Sequence, residues 1–151
     1  MQLNWIYKPF NELTPKELYA ILHLRSEVFV VEQNCVYLDM DFKDEKSFHL
    51  AGWDGDNLVA YVRIVPPGIS FNEPSIGRVV TSPAYRKSGA GRQLMNLAIE
   101  KTLQQFNHRT ITIGAQLYLK QFYGSLGFVQ ISEPYDEDGI PHIHMQLTAE
   151  N

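Results

Sequence analysis

Apolar and polar positions along the chain repeat with two periods, and each change of period marks a new element. Leu3 to Tyr7 suits a first strand. Thr14-Pro15-Lys16-Glu17 offers an N-cap, a proline at the first helical position and a glutamate that closes a capping box. Leu18, Ile21, Leu22, Arg25, Val28 and Phe29 follow at helical spacing. The β-branched run around Val28-Phe29-Val30-Val31 reads equally as a helix end or a strand. Residues 47–53 and 58–65 flank the turn Asp54-Gly55-Asp56-Asn57 as a hairpin, closed by Pro66-Pro67-Gly68. Ile76 to Thr81 is a further strand. After a glycine-containing loop, Leu94, Met95, Ala98, Ile99, Leu103 and Phe106 form one helical stripe.

Downstream, Thr110 to Gly114 is a short strand, and Ala115-Gln116 is expected to open a helix whose stripe is Leu119, Phe122 and Leu126. Gly127 sits where a C-terminal cap is wanted. Phe128 to Ile131 resumes as strand. Alternation from His142 to Leu147 marks a final strand with His142 and His144 on one face. Strands and helices alternate irregularly around a tight hairpin, which excludes an all-parallel sheet.

The chain has 151 residues, 44% of them apolar, enough for one domain spanning 1–151 and too few for two ordinary ones. The net charge of −4 and the lack of a long basic run argue against nucleic acid. No apolar run has membrane length, and polar residues interrupt the N-terminus, so the expected location is cytoplasmic, with no membrane association. Cys35 is the single cysteine, so no internal disulfide forms, and a small buried role is expected for it. Asp39, Asp41, Asp44 and Glu45 read as a solvated acidic loop.

The most informative chemistry lies in Arg86-Lys87-Ser88-Gly89-Ala90-Gly91-Arg92, between a strand and a helix. Unpaired N–H groups and the helix dipole favour an anion there, glycines permit close approach, and three cations add charge. The alternative is a surface turn with solvated charges. A phosphate-binding loop of the Gly-Lys-Ser/Thr kind is absent, and Leu94 stands where a dinucleotide fingerprint needs its third glycine.

The Arg-x-x-Gly-x-Gly pattern of Arg86 to Gly91 resembles the signature loop of the GNAT superfamily of acyl-CoA N-acyltransferases, which holds the coenzyme A pyrophosphate. Phe122-Tyr123-x-x-x-Gly127-Phe128 resembles a second GNAT landmark beside the pantetheine arm. Arg25-x-x-Val-Phe-Val-Val-Glu32-Gln33-x-Cys35-x-Tyr37 and Glu133-x-Tyr-x-Glu-Asp-Gly-Ile-Pro-His142 are similar to the ElaA-like subgroup. The resemblance implies an α/β (α+β) fold: a mixed, mostly antiparallel six- to seven-stranded sheet, helices on both faces, splayed between the strands of Val79 and Ile111. It also implies a cytoplasmic N-acetyltransferase that uses acetyl-CoA as co-substrate on a small-molecule or peptide amine, and it is compatible with edge-strand pairing into a homodimer.

On that resemblance, the coenzyme is held by Val79, Val80, Thr81, Arg86, Lys87, Ser88, Gly89, Ala90, Gly91, Arg92, Gln116, Phe122 and Tyr123. Backbone amides from Val79 to Thr81 stabilise the oxyanion, and Tyr123 serves the leaving sulfur, with Tyr118 as a spare. Arg25, Glu32, Gln33, Tyr37, His49 and Glu133 are expected on the acceptor side. Ser75 replaces the glutamate that many members use as base, which leaves Glu32, His49, Glu133 and His142 as substitutes. His142 is favoured because imidazole accepts a proton near neutral pH. The paired His142 and His144 lack a third ligand at metal spacing, so no metal is expected. A non-catalytic acyl-CoA-binding or regulatory module on the same fold is the alternative function.

Overall fold

The computed structural model describes residues 2–150. Strands β1 (Asn4–Pro9), β2 (Phe48–Asp54), β3 (Asn57–Val65) and β4 (Ser75–Thr81) form an antiparallel sheet in that order. A second sheet contains β5 (Thr110–Gln116), β6 (Val129–Gln130), β7 (Tyr135–Glu137) and β8 (Ile140–Thr148), ordered β5-β8-β6 with β7 also on β8. The short β6 and β7 bring the strands among the described residues to eight.

Among the described residues three α-helices accompany the sheets: α1 (Pro15–Arg25), α2 (Ala90–Phe106) and α3 (Lys120–Ser125). The capping box forms as expected, with Glu17 N–H donating to Thr14 Oγ1 at 3.1 Å and Thr14 N–H to Glu17 Oε1 at 2.8 Å. Helix α1 covers one face of the first sheet, packing Ile21 and Leu24 against Ala51, Trp53, Tyr61 and Val80. Helix α2 covers the other face. Its Leu94, Met95 and Ala98 are fully buried in a cluster that includes Val62 and Ile64 of β3, Ile111 and Ile113 of β5, and Ile143 and Met145 of β8. Burial of each such Leu, Ile or Met side chain contributes about 1.5–3 kcal/mol, so α2 clamps the two sheets together.

The clamp holds β4 and β5 side by side without a ladder between them. Thr112 N–H donates to Pro74 C=O at 3.1 Å, and Thr112 Oγ1–H to Glu73 Oε1 at 2.7 Å. Beyond that point the strands separate. A β-bulge adds to the divergence: Tyr61 faces Val80 and Arg63 faces Gly77, so Arg78 and Val79 together oppose one residue of β3. Arg78 occupies the left-handed region at φ 52°.

Three expectations need correction. Ala115-Gln116 does not open a helix, because β5 continues to Gln116, which pairs with His142 across the ladder; one tight turn, Leu117–Leu119, then leads into α3. The strand expected from Phe128 to Ile131 shortens to Val129–Gln130. The acidic stretch is not a solvated loop, since Asp39 and Asp44 are buried among arginines. The ambiguous run after α1 is a π-helix, Ser26–Glu32. Its wide turns are closed by Gln33 N–H to Val28 C=O at 3.1 Å and Cys35 N–H to Val30 C=O at 3.0 Å. Such turns shift the register of the side chains that follow.

Candidate active site

The splay between β4 and β5 opens a cleft of about 1210 Å³. Glu32 at the end of the π-helix and Gln33 just after it close one end, where Gln116 Nε2–H reaches Gln33 Oε1 at 3.4 Å across the gap. Val79, Val80 and Thr81 form one wall, α3 supplies Phe122 and Tyr123, and β7 and β8 contribute Tyr135, His142 and His144.

The loop before α2 continues from this wall. Gly89 caps the helix at φ 86° with open space where a side chain would stand, and Lys87 also has a positive φ of 66°. No side chain caps the helix through Gly89, and no acid occupies the first turn. Ser88 Oγ accepts only a long 3.3 Å bond from Ala90 N–H. An anion therefore finds free backbone donors and a favourable dipole. Gly91 and Arg86 line the cleft itself, whereas Lys87, Ser88, Gly89, Ala90 and Arg92 are not among its lining residues. Arg92 is anchored to α3, donating to Ser125 Oγ at 2.9 Å and lying 5.6 Å from the Phe122 ring centre.

Ser82 N–H donates to Val59 C=O at 2.7 Å. By antiparallel alternation, Val80 also faces β3, and the Thr81 N–H is left on the edge that meets the cleft. Tyr123 is buried yet lines the same cleft, and its hydroxyl has no protein partner among the described residues. Burial pushes this phenol well above its usual range, so it stays protonated and available as a donor. Tyr118 is mostly exposed at the same mouth.

Arg86 and Glu32, one expected on the coenzyme side and the other on the acceptor side, form a bidentate ion pair that includes an Nη1–Oε2 bond of 2.7 Å. The arginine hydrogen bond holds the Glu32 carboxyl below its usual range. That makes Glu32 a weak proton acceptor. His142 is better placed: Nδ1–H donates to Ile140 C=O at 2.7 Å, which leaves Nε2 as the basic nitrogen, 3.3 Å from Glu137 Oε2. Tyr135 stacks on His142 at 5.9 Å and meets His144 edge-on at 4.8 Å. Ser75 is buried and lines the cleft without offering a base.

Arg25, His49 and Glu133 are not brought into the cleft. Glu133 is exposed outside it. Arg25 is wholly buried, with Nε–H on Asp39 Oδ2 and Nη1–H on Asp44 Oδ1, both at 2.7 Å. His49 lies between Asp44 C=O at 2.9 Å and the Tyr61 hydroxyl at 2.7 Å, and burial pushes its pKa down. Tyr37 reaches the cleft and donates to Asp39 Oδ1 at 3.1 Å.

These contacts belong to a network that the sequence reading missed. Arg63 grips Asp41 with bonds of 2.7 and 2.9 Å and reaches Asp44 at 3.1 Å, while Arg78 pairs with Asp39 at 2.8 Å. Three arginines and three aspartates balance to neutrality. Burial pushes the Asp41 and Asp44 carboxyls up, but the arginines outweigh it and hold both below the usual range. The available signal was a charged residue inside each apolar strand, Arg63 between Val62 and Ile64 and Arg78 between Gly77 and Val79. Among the described residues, no three His, Cys, Asp or Glu side chains converge as a metal cage, and no helix is long and apolar enough to cross a membrane.

Comparison with known proteins agrees with this fold. Residues 11–149 match the model of the acetyltransferase (GNAT) domain family. Protein ElaA of Escherichia coli is 43% identical over 145 residues, covering 95% of each chain, and its crystal structure superposes with a TM-score of 0.91 over 97% of this chain and 99% of that one. The crystal structure of an acyl-CoA N-acyltransferase from Pseudomonas aeruginosa gives 0.93 at 42% identity, covering 97% of this chain and 100% of the other. An aminoglycoside 6'-N-acetyltransferase complexed with coenzyme A shares the fold, with a TM-score of 0.68 at 20% identity over 95% of this chain and 96% of its own.

Proposed function

The chain belongs to the GNAT acetyltransferase family, and on that premise we propose that it transfers an acetyl group from acetyl-CoA to a primary amine by direct attack in a ternary complex. The observation that carries the reading is the buried Tyr123 phenol, presented without a protein partner to the cleft that the free edge of β4 also lines. The Pseudomonas relative, described as an acyl-CoA N-acyltransferase, supports the donor class. The uncapped α2 N-terminus and the glycines at 89 and 91 fit a pyrophosphate, with Arg86 turning to it from Glu32.

The acceptor nitrogen adds to the thioester carbonyl, and the Thr81 N–H is positioned on the edge where the oxyanion develops. Collapse of the adduct breaks the carbon–sulfur bond, and the remaining ammonium proton of the adduct passes through solvent to the departing thiolate, leaving the amide and the free thiol. A phenol near pKa ~10 is a weaker acid than a thiol near ~8.5, so full proton transfer to sulfur is uphill by roughly 2 kcal/mol, and burial of Tyr123 widens the gap. Tyr123 therefore acts by donating a hydrogen bond to the sulfur. An alkylammonium acceptor must first lose a proton; His142 Nε2 takes it directly or through a water, with Glu137 beside it to stabilise the imidazolium.

The test is release of coenzyme A thiol from acetyl-CoA in the presence of a panel of primary amines, with the acylated product identified by mass. Amine-dependent release with an acetylated product supports the proposal. Tight binding of acetyl-CoA without turnover for any amine would favour a non-catalytic acyl-CoA-binding module.

A further inference from the structure

The cations that line the cleft differ in whether an acid answers them. Arg63 is gripped by Asp41 and Asp44, Arg78 by Asp39, and Arg86 by Glu32. Lys43 joins no ion pair among the described residues, and its Nζ–H donates only to Ser70 Oγ, at 3.1 Å. Its backbone, by contrast, is locked. Lys43 N–H donates to Asp41 Oδ1 at 3.0 Å and Lys43 C=O accepts from Ser47 Oγ–H at 2.7 Å, so the carboxylate that holds Arg63 also fixes the stem of the lysine. The residue is half-buried, which limits the screening of its charge by salt. Ser70 belongs to the loop between β3 and β4, which is folded on itself by Gly68 N–H donating to Phe71 C=O at 2.7 Å. The Phe71 ring meets His144 edge-on at 5.1 Å and so joins the Lys43 wall to β8 across the cleft.

The far wall carries the opposite charge. Glu137 at the end of β7 and Asp138 in the turn after it line the cleft, and no lysine or arginine pairs with either among the described residues. The charges left over after pairing are therefore segregated: an ammonium on one wall, two carboxylates beside the His142 imidazole on the other. On the reading that His142 takes the acceptor's proton, we infer that the acceptor is a free amino acid, its ammonium at the Glu137 wall and its carboxylate on Lys43 and Ser70. Ser70 Oγ accepts from the lysine, so its own O–H is left to donate to the same carboxylate. One ammonium and one hydroxyl suit a single negative charge better than the dianion of a phosphate ester. A plain diamine would set its second ammonium against Lys43, and a peptide N-terminus, followed by a neutral amide, gives the lysine no charge to pair.

Calorimetric titration, with and without saturating coenzyme A, tests this on glycine, β-alanine, γ-aminobutyrate and ε-aminocaproate. Each is compared with its own carboxamide, which keeps the amine and removes the negative charge. For at least one chain length the acid should bind about tenfold tighter than the amide, or about 1.4 kcal/mol. Lys43→Gln should abolish that preference and Lys43→Arg should retain it. Lys46→Gln, which removes an exposed cation outside the cleft, should leave it as in the wild type. If Lys43→Gln does not fold, Ser70→Ala must weaken the preference instead. Equal binding of acid and amide at every length overturns the inference, as does a preference that survives Lys43→Gln or is lost equally with Lys46→Gln. Thiol release separates this inference from acyl transfer itself. Lys43-dependent binding without acylation of any amino acid would sink the chemistry and keep the ligand class, whereas acylation of carboxamides as fast as of the acids would keep the chemistry and sink the ligand class.

Discussion

The two sides of the cleft are built in opposite ways. The side proposed here for the coenzyme comes from consecutive residues, Arg86 to Arg92, whose free backbone donors at the start of α2 need no distant partner. The acceptor side rests on Arg25, Arg63 and Arg78 from three elements, joined to Asp39, Asp41 and Asp44 in a single loop. The first depends on local backbone geometry, the second on buried charge. They should therefore fail differently: one should lose ligand affinity at little cost to the fold, the other should lose the fold.

The largest expected effect is on the buried network. Asp44→Ala leaves Arg25 and Arg63 without a shared carboxylate and should cost about 3–5 kcal/mol, read from the urea midpoint. A loss no larger than that of an exposed carboxylate would remove the contrast between the two sides. The pH dependence sharpens it. His49 has a folded pKa below its unfolded value, so its contribution is present above about pH 6.5 and lost as pH falls through that region. Asp41 and Asp44 are likewise depressed, and their contributions are present above about pH 3.9 and lost as pH falls further. Urea midpoints between pH 8 and 3 should decline gently and then steeply, and Asp44→Ala should blunt the steep part.

On the coenzyme side, Gly89→Glu forces a side chain into the left-handed region, at about 1–2 kcal/mol of stability, and sets a negative charge at the helix N-terminus. Calorimetric titration should show acetyl-CoA affinity reduced by at least tenfold, about 1.4 kcal/mol, while free amine binding is unaffected. The smallest effect runs the other way. Phe42→Asn relieves a strained backbone at an exposed ring and should raise stability by about 0.5 kcal/mol in thermal unfolding, provided the protein is compared as a monomer.

The same division governed what the sequence could reveal. The capping box at Thr14 and the stripe of α2 were legible because their partners lie within four residues. The glycine loop and the Phe122-Tyr123 helix were legible as motifs, and the structure brings both to one cleft. The end of β5 is not legible locally, because pairing of Gln116 with His142 is a long-range fact that helical periodicity does not contain. Asp39 and Asp44 looked solvated because their arginines stand 14 to 39 residues away. A lone arginine inside an apolar strand announces a buried partner without saying which acid supplies it. Arg25, expected by resemblance on the acceptor side, and His49, a candidate base, instead stand in the buried network outside the cleft.

The most direct test of acyl transfer in this cleft is steady-state thiol release from acetyl-CoA, with the best amine of the panel, by Tyr123→Phe and wild type. The hydroxyl meets no protein partner, so its removal should leave folding and acetyl-CoA affinity intact and lower kcat about 100-fold. An unchanged kcat, with Tyr118 in place, would contradict the assignment of Tyr123 to the leaving sulfur and with it the chemistry proposed for the cleft.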